Sequence, residues 1–414
     1  MTSGPPPPPA EPGPPIPAAG GGQTRKPIDP LLAAIIITAL VVVGAGAAYL
    51  LTRDSGGRTA SPTTPTVSST ATTSPGTTTT TTDGPPVTGT SSTTTTTVPQ
   101  PPDGDVSADG TWTVMVYGLG DNNLEPDLLT DMREMRAATA DAPELTFVVL
   151  ADRAAGFSDE SLGQLGDWTS AKLVQITDDR FTELDDWGEL NMGEASVLDD
   201  FVAAAVTAAP ADHYALIFWD HGSMRGLGPD DSAEFDLLEG WELATGLEAT
   251  LQRTGITLDI IGFDACLMAS LEVASVVAPY ATYMIASEEL EPADGWAYGG
   301  FAYLSGDGGT VEGLGESVLQ AYFEASSTYD PTVTLSMLDL RQYDEFAAAM
   351  GGFTETALST LDSAAVAIGR RRDAAVKFGE HPDPLQDWFM VDLGQLLGKL
   401  ARSDTPVADV ARDA

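Results

Sequence analysis

The chain has 414 residues, with 61 acidic side chains against 19 basic ones and a formal net charge of −42. That balance offers no basic footprint for phosphates and argues against a nucleic-acid partner, while its field favours solubility and steers cationic substrates. One cysteine in the whole chain excludes an internal disulfide framework and any multi-thiolate zinc site.

Residues 1–30 are dominated by Pro and Gly, and residues 53–109 by Thr, Ser, Pro, Gly and Asp. Neither stretch has enough apolar side chains to offset its ordering entropy, so a disordered tail and a disordered stalk are expected. Between them, within 31–52, runs "LLAAIIITALVVVGAGAAYLL", uncharged from Leu31 to Leu51 and long enough to span a bilayer as one helix. Arg25 and Lys26 before it nearly balance Arg53 and Arg58 after it, so charge does not orient it. The Thr/Pro-rich tract that follows is typical of an exported stalk, which places the head outside the cytoplasm, on the membrane. The alternative is a secretory signal cleaved at "AGA", Ala45 to Ala47, which would release the head.

The head, residues 110–414, alternates. "TWTVMVYGL" reads as a strand and "LEPDLLTDMREMRAA" as a helix; "LTFVVLAD" is a second strand. An irregular insertion with Trp and Gly follows, then a helix near "EASVLDDFVAAAVTAA". Further strands are "HYALIFWD", "LDIIGFDA", "TYMIASEE" and "TVTLSMLDL", with helical segments between them. The apolar runs are short, β-branched and nearly continuous, as in strands buried on both faces. Such alternation predicts a three-layer α/β/α domain with a mostly parallel sheet. The chain closes on a helical pattern, "VADVARDA", with no stop signal.

Ligands of such sheets bind at the carboxyl ends of the strands. "IFWDHGS" places His221 and Gly222 just past one strand, and "GFDACLM" places Asp264 and Cys266 just past the next. A cysteine beside an imidazole is a nucleophile with its base, and a helix opening at Cys266 would favour the thiolate. The backbone N–H groups of Gly222 and Cys266 are candidates for an oxyanion hole. The competing reading of Cys266 is a small buried hydrophobe. His213 and His381 read as strand-start and loop residues.

Five blocks in order carry a resemblance: "WTVMVYGLGDNNLE", "GELNMGEASVLDDFV", "PADHYALIFWDHG", "LDIIGFDACLMASLEVA" and "IASEELEPADGWAY". From about Trp112 to Asp392 the chain resembles the clostripain-like cysteine peptidases, which share a caspase-like fold with gingipains, legumain and separase. By position, His221 matches that family's general acid/base and Cys266 its nucleophile, while Asp264 and Asp294 match carboxylates of the S1 pocket. The resemblance implies protein or peptide substrates cleaved after Arg or Lys, which a carboxylate at the base of a pocket would pair. Asp264 as a cap of the following helix, and Asp294 as a turn residue before Gly295, are the structural alternatives.

The loop "HGSMRGLGPDDS" departs from the glycine-rich run of many relatives. Some relatives cut themselves between the histidine and the cysteine, which makes Arg225 the candidate processing site. Some use calcium; "GPDDSAEFD" and "DGDVSADG" are acidic, but neither has EF-hand spacing, so no metal ligands are assigned and no cofactor is required. Two other functions stay open: a catalytically silent surface binding module, and a transpeptidase whose acyl-enzyme is resolved by an amine.

Overall fold

The computed structural model describes residues 105–306, 309–380 and 389–414. The expected tail, the apolar run, nearly all of the stalk and His381 lie outside the described residues. Among the described residues no helix is long and apolar enough to cross a membrane.

The elements follow in chain order: β1 (Trp112–Leu119), α1 (Glu125–Asp141), β2 (Leu145–Asp152), β3 (Lys172–Thr177), β4 (Arg180–Asp186), α2 (Ala195–Ala208) and β5 (His213–Trp219). A small three-stranded sheet comes next: β6 (Gly222–Ser223), β7 (Gly226–Asp230) and β8 (Asp236–Glu239). Then come α3 (Gly240–Thr254), β9 (Leu258–Asp264), α4 (Leu271–Val277), β10 (Ala281–Ala286), α5 (Val311–Ser326) and β11 (Ser336–Asp339).

The main sheet has eight strands in the order β11-β10-β9-β5-β1-β2-β3-β4. The five from β10 to β2 are parallel, and β11, β3 and β4 are antiparallel additions at the edges. Every residue of β1 is buried, because helices cover both faces of the sheet. On one face lie α1, α5 and the 3-10 turns of Tyr298–Ser305, with Phe147, Phe301 and Leu314 in their core. On the other lie α2, α3 and α4, packed around Phe201, Phe218, Leu247 and Phe263. The three layers and the mostly parallel sheet agree with the sequence pattern.

Two features differ from it. The insertion after Asp152 holds a hairpin, β3–β4, joined through Asp178 and Asp179, both at positive φ as a tight hairpin turn requires. Only Phe181 of β4 is buried, so its polar face hid the strand from an apolar-run reading. Beyond β11, α6 (Tyr343–Ser359), α7 (Leu361–Asp373), α8 (Leu393–Leu400) and α9 (Val410–Asp413) gather around a separate core of Met350, Phe353, Ile368, Leu396 and Leu400.

From β1 the chain passes to β2 on one side, and later to β5 on the other. The loops after β1 and β5 therefore diverge at a switch point, where open α/β sheets form their crevices.

Candidate active site

The loop after β5 and the turn after β9 meet. Asp220 N–H donates to Asp264 O at 3.3 Å, and a Cβ on Gly222 would run into the backbone of Cys266. Only glycine permits that approach. Cys266 and His221 line one cavity of about 110 Å³, together with Asp220, Asp264, Glu291 and Gly295.

Cys266 does not open a helix. Strand β9 ends at Asp264, and α4 begins at Leu271, capped by Ser270, whose Oγ accepts from Val273 N–H at 3.2 Å. The expected dipole support for the thiolate is absent, and so is the capping role offered for Asp264. A turn aims the sulfur instead: Leu267 is left-handed at φ 64°, and its N–H donates to Glu289 O at 3.1 Å. A non-glycine residue in that conformation stores about 1–3 kcal/mol, held by the packing around it.

The thiol lies among donors. Glu291 N–H donates to Cys266 Sγ at 3.2 Å. The N–H groups of Gly222 and Cys266 also favour its anion, but burial outweighs them, and with Asp264 nearby it pushes the thiol up from its ordinary value. Burial also lowers the His221 imidazole, against the pull of Asp231. Both shifts favour the neutral forms, thiol and imidazole. His221 Nε2–H donates to Asn123 Oδ1 at 3.1 Å, which leaves Nδ1 with its lone pair.

Carboxylates line the cavity beside Cys266 and His221. Asp264, only 4% exposed, accepts from Trp296 N–H at 2.9 Å and from Tyr298 O–H at 2.9 Å. Burial pushes its carboxyl up to about 7 in spite of these bonds. Glu291 is pushed up by burial, then by Asp264 and Cys266, and its carboxyl lies against the Asp264 carboxyl and the Trp296 side chain. Asp294 is exposed, three residues along, and accepts from Tyr329 O–H at 3.2 Å.

Arg225 is exposed at the tip of the β6–β7 hairpin, 3.5 Å from Glu239. His213 sits at the start of β5, with its ring stacked on Trp112 and Nδ1 3.2 Å from Asp259. Asp105 and Asp109 of the "DGDVSADG" stretch are exposed.

Three polar residues of this crevice are missing from the sequence-derived set: Asn122, Asn123 and Glu291. Asn122 Nδ2 donates to Asp220 Oδ1 at 2.8 Å and to Pro229 O at 3.0 Å, tying the loop after β1 to the loop after β5. The signal for the two asparagines was present: polar residues at the carboxyl end of a buried strand, in "GLGDNNLE".

A second group lies along the same sheet edge. Asp121, Asp152, Glu189 and Asp230 each bring one carboxylate oxygen within 4.8 Å of the others. Only Asp230 comes from an acidic loop noted in the sequence.

The model of the clostripain family matches residues 116–380, more than half of the chain. Clostripain of Hathewaya histolytica is 31% identical over 193 residues, 40% of this chain and 36% of that protein, so the chain spans about a third of that relative's length. Iotapain, a secreted C11 cysteine protease of Bacteroides thetaiotaomicron, shares the fold at TM-score 0.54 and 17% identity, over 73% of this chain and 83% of that one. An inactive zymogen C11 protease of Parabacteroides distasonis is 22% identical at TM-score 0.45, over 57% and 64% of the two chains. The five sequence blocks, the mixed α/β sheet that joins them and the match over residues 116–380 lead to one conclusion: this chain belongs to the clostripain family of C11 cysteine peptidases.

Proposed function

We propose that the protein is an endopeptidase that cleaves after arginine or lysine outside the cytoplasm, tethered by residues 31–51. The observation that carries this reading is one cavity shared by Cys266, His221 and two buried carboxylates, Asp264 and Glu291.

In the proposed reaction His221 Nδ1 takes the thiol proton as Sγ attacks the scissile carbonyl carbon. Asn123 keeps the ring in the tautomer that can do so. The N–H groups of Gly222 and Cys266 would stabilise the oxyanion, worth on the order of 3–4 kcal/mol per donor. The imidazolium then gives its proton to the leaving amine as the C–N bond breaks and the thioester remains. Water, deprotonated by the same imidazole, attacks the thioester; the carboxylic product leaves and Sγ recovers the proton. A guanidinium or ammonium entering beside the paired carboxyls of Asp264 and Glu291 would give them a cation, with Asp294 at the rim. An exposed Arg225 fits the same specificity as a processing site. Peptide mapping of wild type and Cys266→Ala tests this: a cut after Arg225 in wild type alone supports processing, and two intact chains reject it.

A peptide electrophile carrying arginine at P1 tests the reading as a whole. Intact-mass analysis of the full chain should show one adduct, on Cys266, formed slowly in His221→Ala and slowly when leucine replaces arginine. Equal labelling by both electrophiles would reject the pocket. No labelling of folded protein would favour a silent binding module.

A further inference from the structure

A carbonyl carbon under attack by Sγ carries two peptide halves that diverge from it, the acyl residue and the leaving amine. The cavity that holds Cys266 and His221 suits the first, with Glu291 and Gly295 of the loop after β10 in its wall. A second cavity, of about 400 Å³, starts two residues beyond each of that pair, at Ser223 and at Met268. Two residues of extended chain span at most ~7 Å, so this space adjoins the reacting groups. No residue of the loop after β10 lines it.

The two cavities belong to different layers. Trp219 of the first is part of the core beneath α1 and α5, whereas Leu238, Leu243 and Met268 of the second are part of the core beneath α2, α3 and α4. Between them runs the close approach of Gly222 to the backbone of Cys266, the two proposed oxyanion donors. With the acyl residue held on one side of that contact, the amine half is directed to the other.

The wall of the second cavity is mainly apolar. Trp241 and Leu243 come from α3, Val273 and Val276 from α4, and Met224 from the β6–β7 hairpin. Trp241 is 64% exposed and Met224 46%, and the indole is held in place by its N–H, which donates to Glu239 Oε2 at 3.0 Å. The one carboxyl in the lining, Glu272, is half-buried and pushed up by burial. The one cation, Arg225, already stands 3.5 Å from Glu239. What the groove offers an entering side chain is therefore apolar contact, and its surface is continuous with the site of the chemistry.

We propose that this groove takes a large apolar side chain from the amine side of the scissile bond, within two residues of the cut. It rests on the peptidase reading above and adds a second element of selectivity to it: a basic residue before the cut, and one of the phenylalanine or leucine class after it.

The test uses the full chain and internally quenched peptides with arginine before the cut, identical except for phenylalanine, leucine, glycine or aspartate at the first or second position after it. An arginyl aminocoumarin amide, which has no residue on the amine side, is run beside them. The expected result is a kcat/KM about 10-fold or more higher for phenylalanine or leucine than for glycine at one of the two positions, the discrimination an apolar pocket supplies. Aspartate should fall below glycine. Trp241→Ala, and Ala244→Phe, which fills the cavity from α3, should bring that ratio toward one. Should Ala244→Phe fail to fold, Trp241→Ala and Met224→Ala, both at exposed positions, decide. A wild-type ratio near one would overturn the proposal, as would a preference that survives the folded variants. So would variants that change selectivity only for residues before the cut. Hydrolysis of the coumarin amide without any such preference defeats the groove alone, whereas failure to cleave either kind of substrate defeats the peptidase reading and the groove with it.

Discussion

Two carboxylate groups lie along one edge of one sheet, and they meet burial differently. At the β5–β9 end, Asp264 accepts two hydrogen bonds from Trp296 and Tyr298 and looks into a cavity beside Cys266. At the β1–β2 end, Asp152 faces three other acids, and burial, then Asp230, Glu189 and Asp121, pushes its carboxyl up to about 9. Hydrogen bonds let Asp264 stand beside a cavity that fills and empties, which suits a substrate side chain. Glu291, with its carboxyl against that of Asp264, lines the same cavity, and on this account the cation for the pair arrives with each substrate.

The comparison can be broken at several points. The largest effect belongs to Cys266→Ala, which should lower hydrolysis by on the order of 10⁴-fold or more, as loss of a nucleophile does elsewhere. Next, Asp264→Asn or Glu291→Gln should lower kcat/KM for arginine substrates by about 10²-fold, the loss expected when one partner of a buried charge pair goes. Leucine substrates should change little. If arginine and leucine substrates fall together, these carboxylates shape the site rather than select for it.

Asn123→Ala should follow, lowering kcat about 10- to 100-fold by freeing the His221 ring, with KM nearly unchanged. A positioning role also predicts a shifted acid limb in the pH profile, which a mere folding defect would not produce. The smallest effect is on pH. Asp264 is an acid whose value is raised to about 7, so its charge is present above that pH and lost as pH falls through it. For arginine substrates kcat/KM should therefore decline below about 7, whereas leucine substrates should hold until His221, lowered by burial, takes a proton. Parallel profiles for the two substrates would separate Asp264 from recognition.

Much of this architecture is legible from the chain. Continuous apolar runs such as "VMVYGL" and "IIGFD" mark strands covered on both faces, and the chemistry stands at their carboxyl ends. The β3–β4 hairpin is not legible, because an edge strand exposed on one side, like "RFTELDD", carries almost no apolar signal. The turn at Cys266 misled for another reason. "CLMASLEVASVV" has helix-forming residues throughout, but backbone bonds from Leu267 to Glu289 and from Ala269 to Ser287 hold its first part outside α4. Glu291 and the four-acid group depend on contacts between distant segments, and spacing along the chain does not encode those.

The most direct test is the kcat/KM ratio for otherwise identical peptides with arginine or leucine at P1, measured on the full chain in wild type, Cys266→Ala and Asp264→Asn. The account predicts a strong arginine preference in wild type, no cleavage by Cys266→Ala, and a ratio near one in Asp264→Asn. Cleavage that survives Cys266→Ala, or an arginine preference that survives Asp264→Asn and Glu291→Gln, would contradict it.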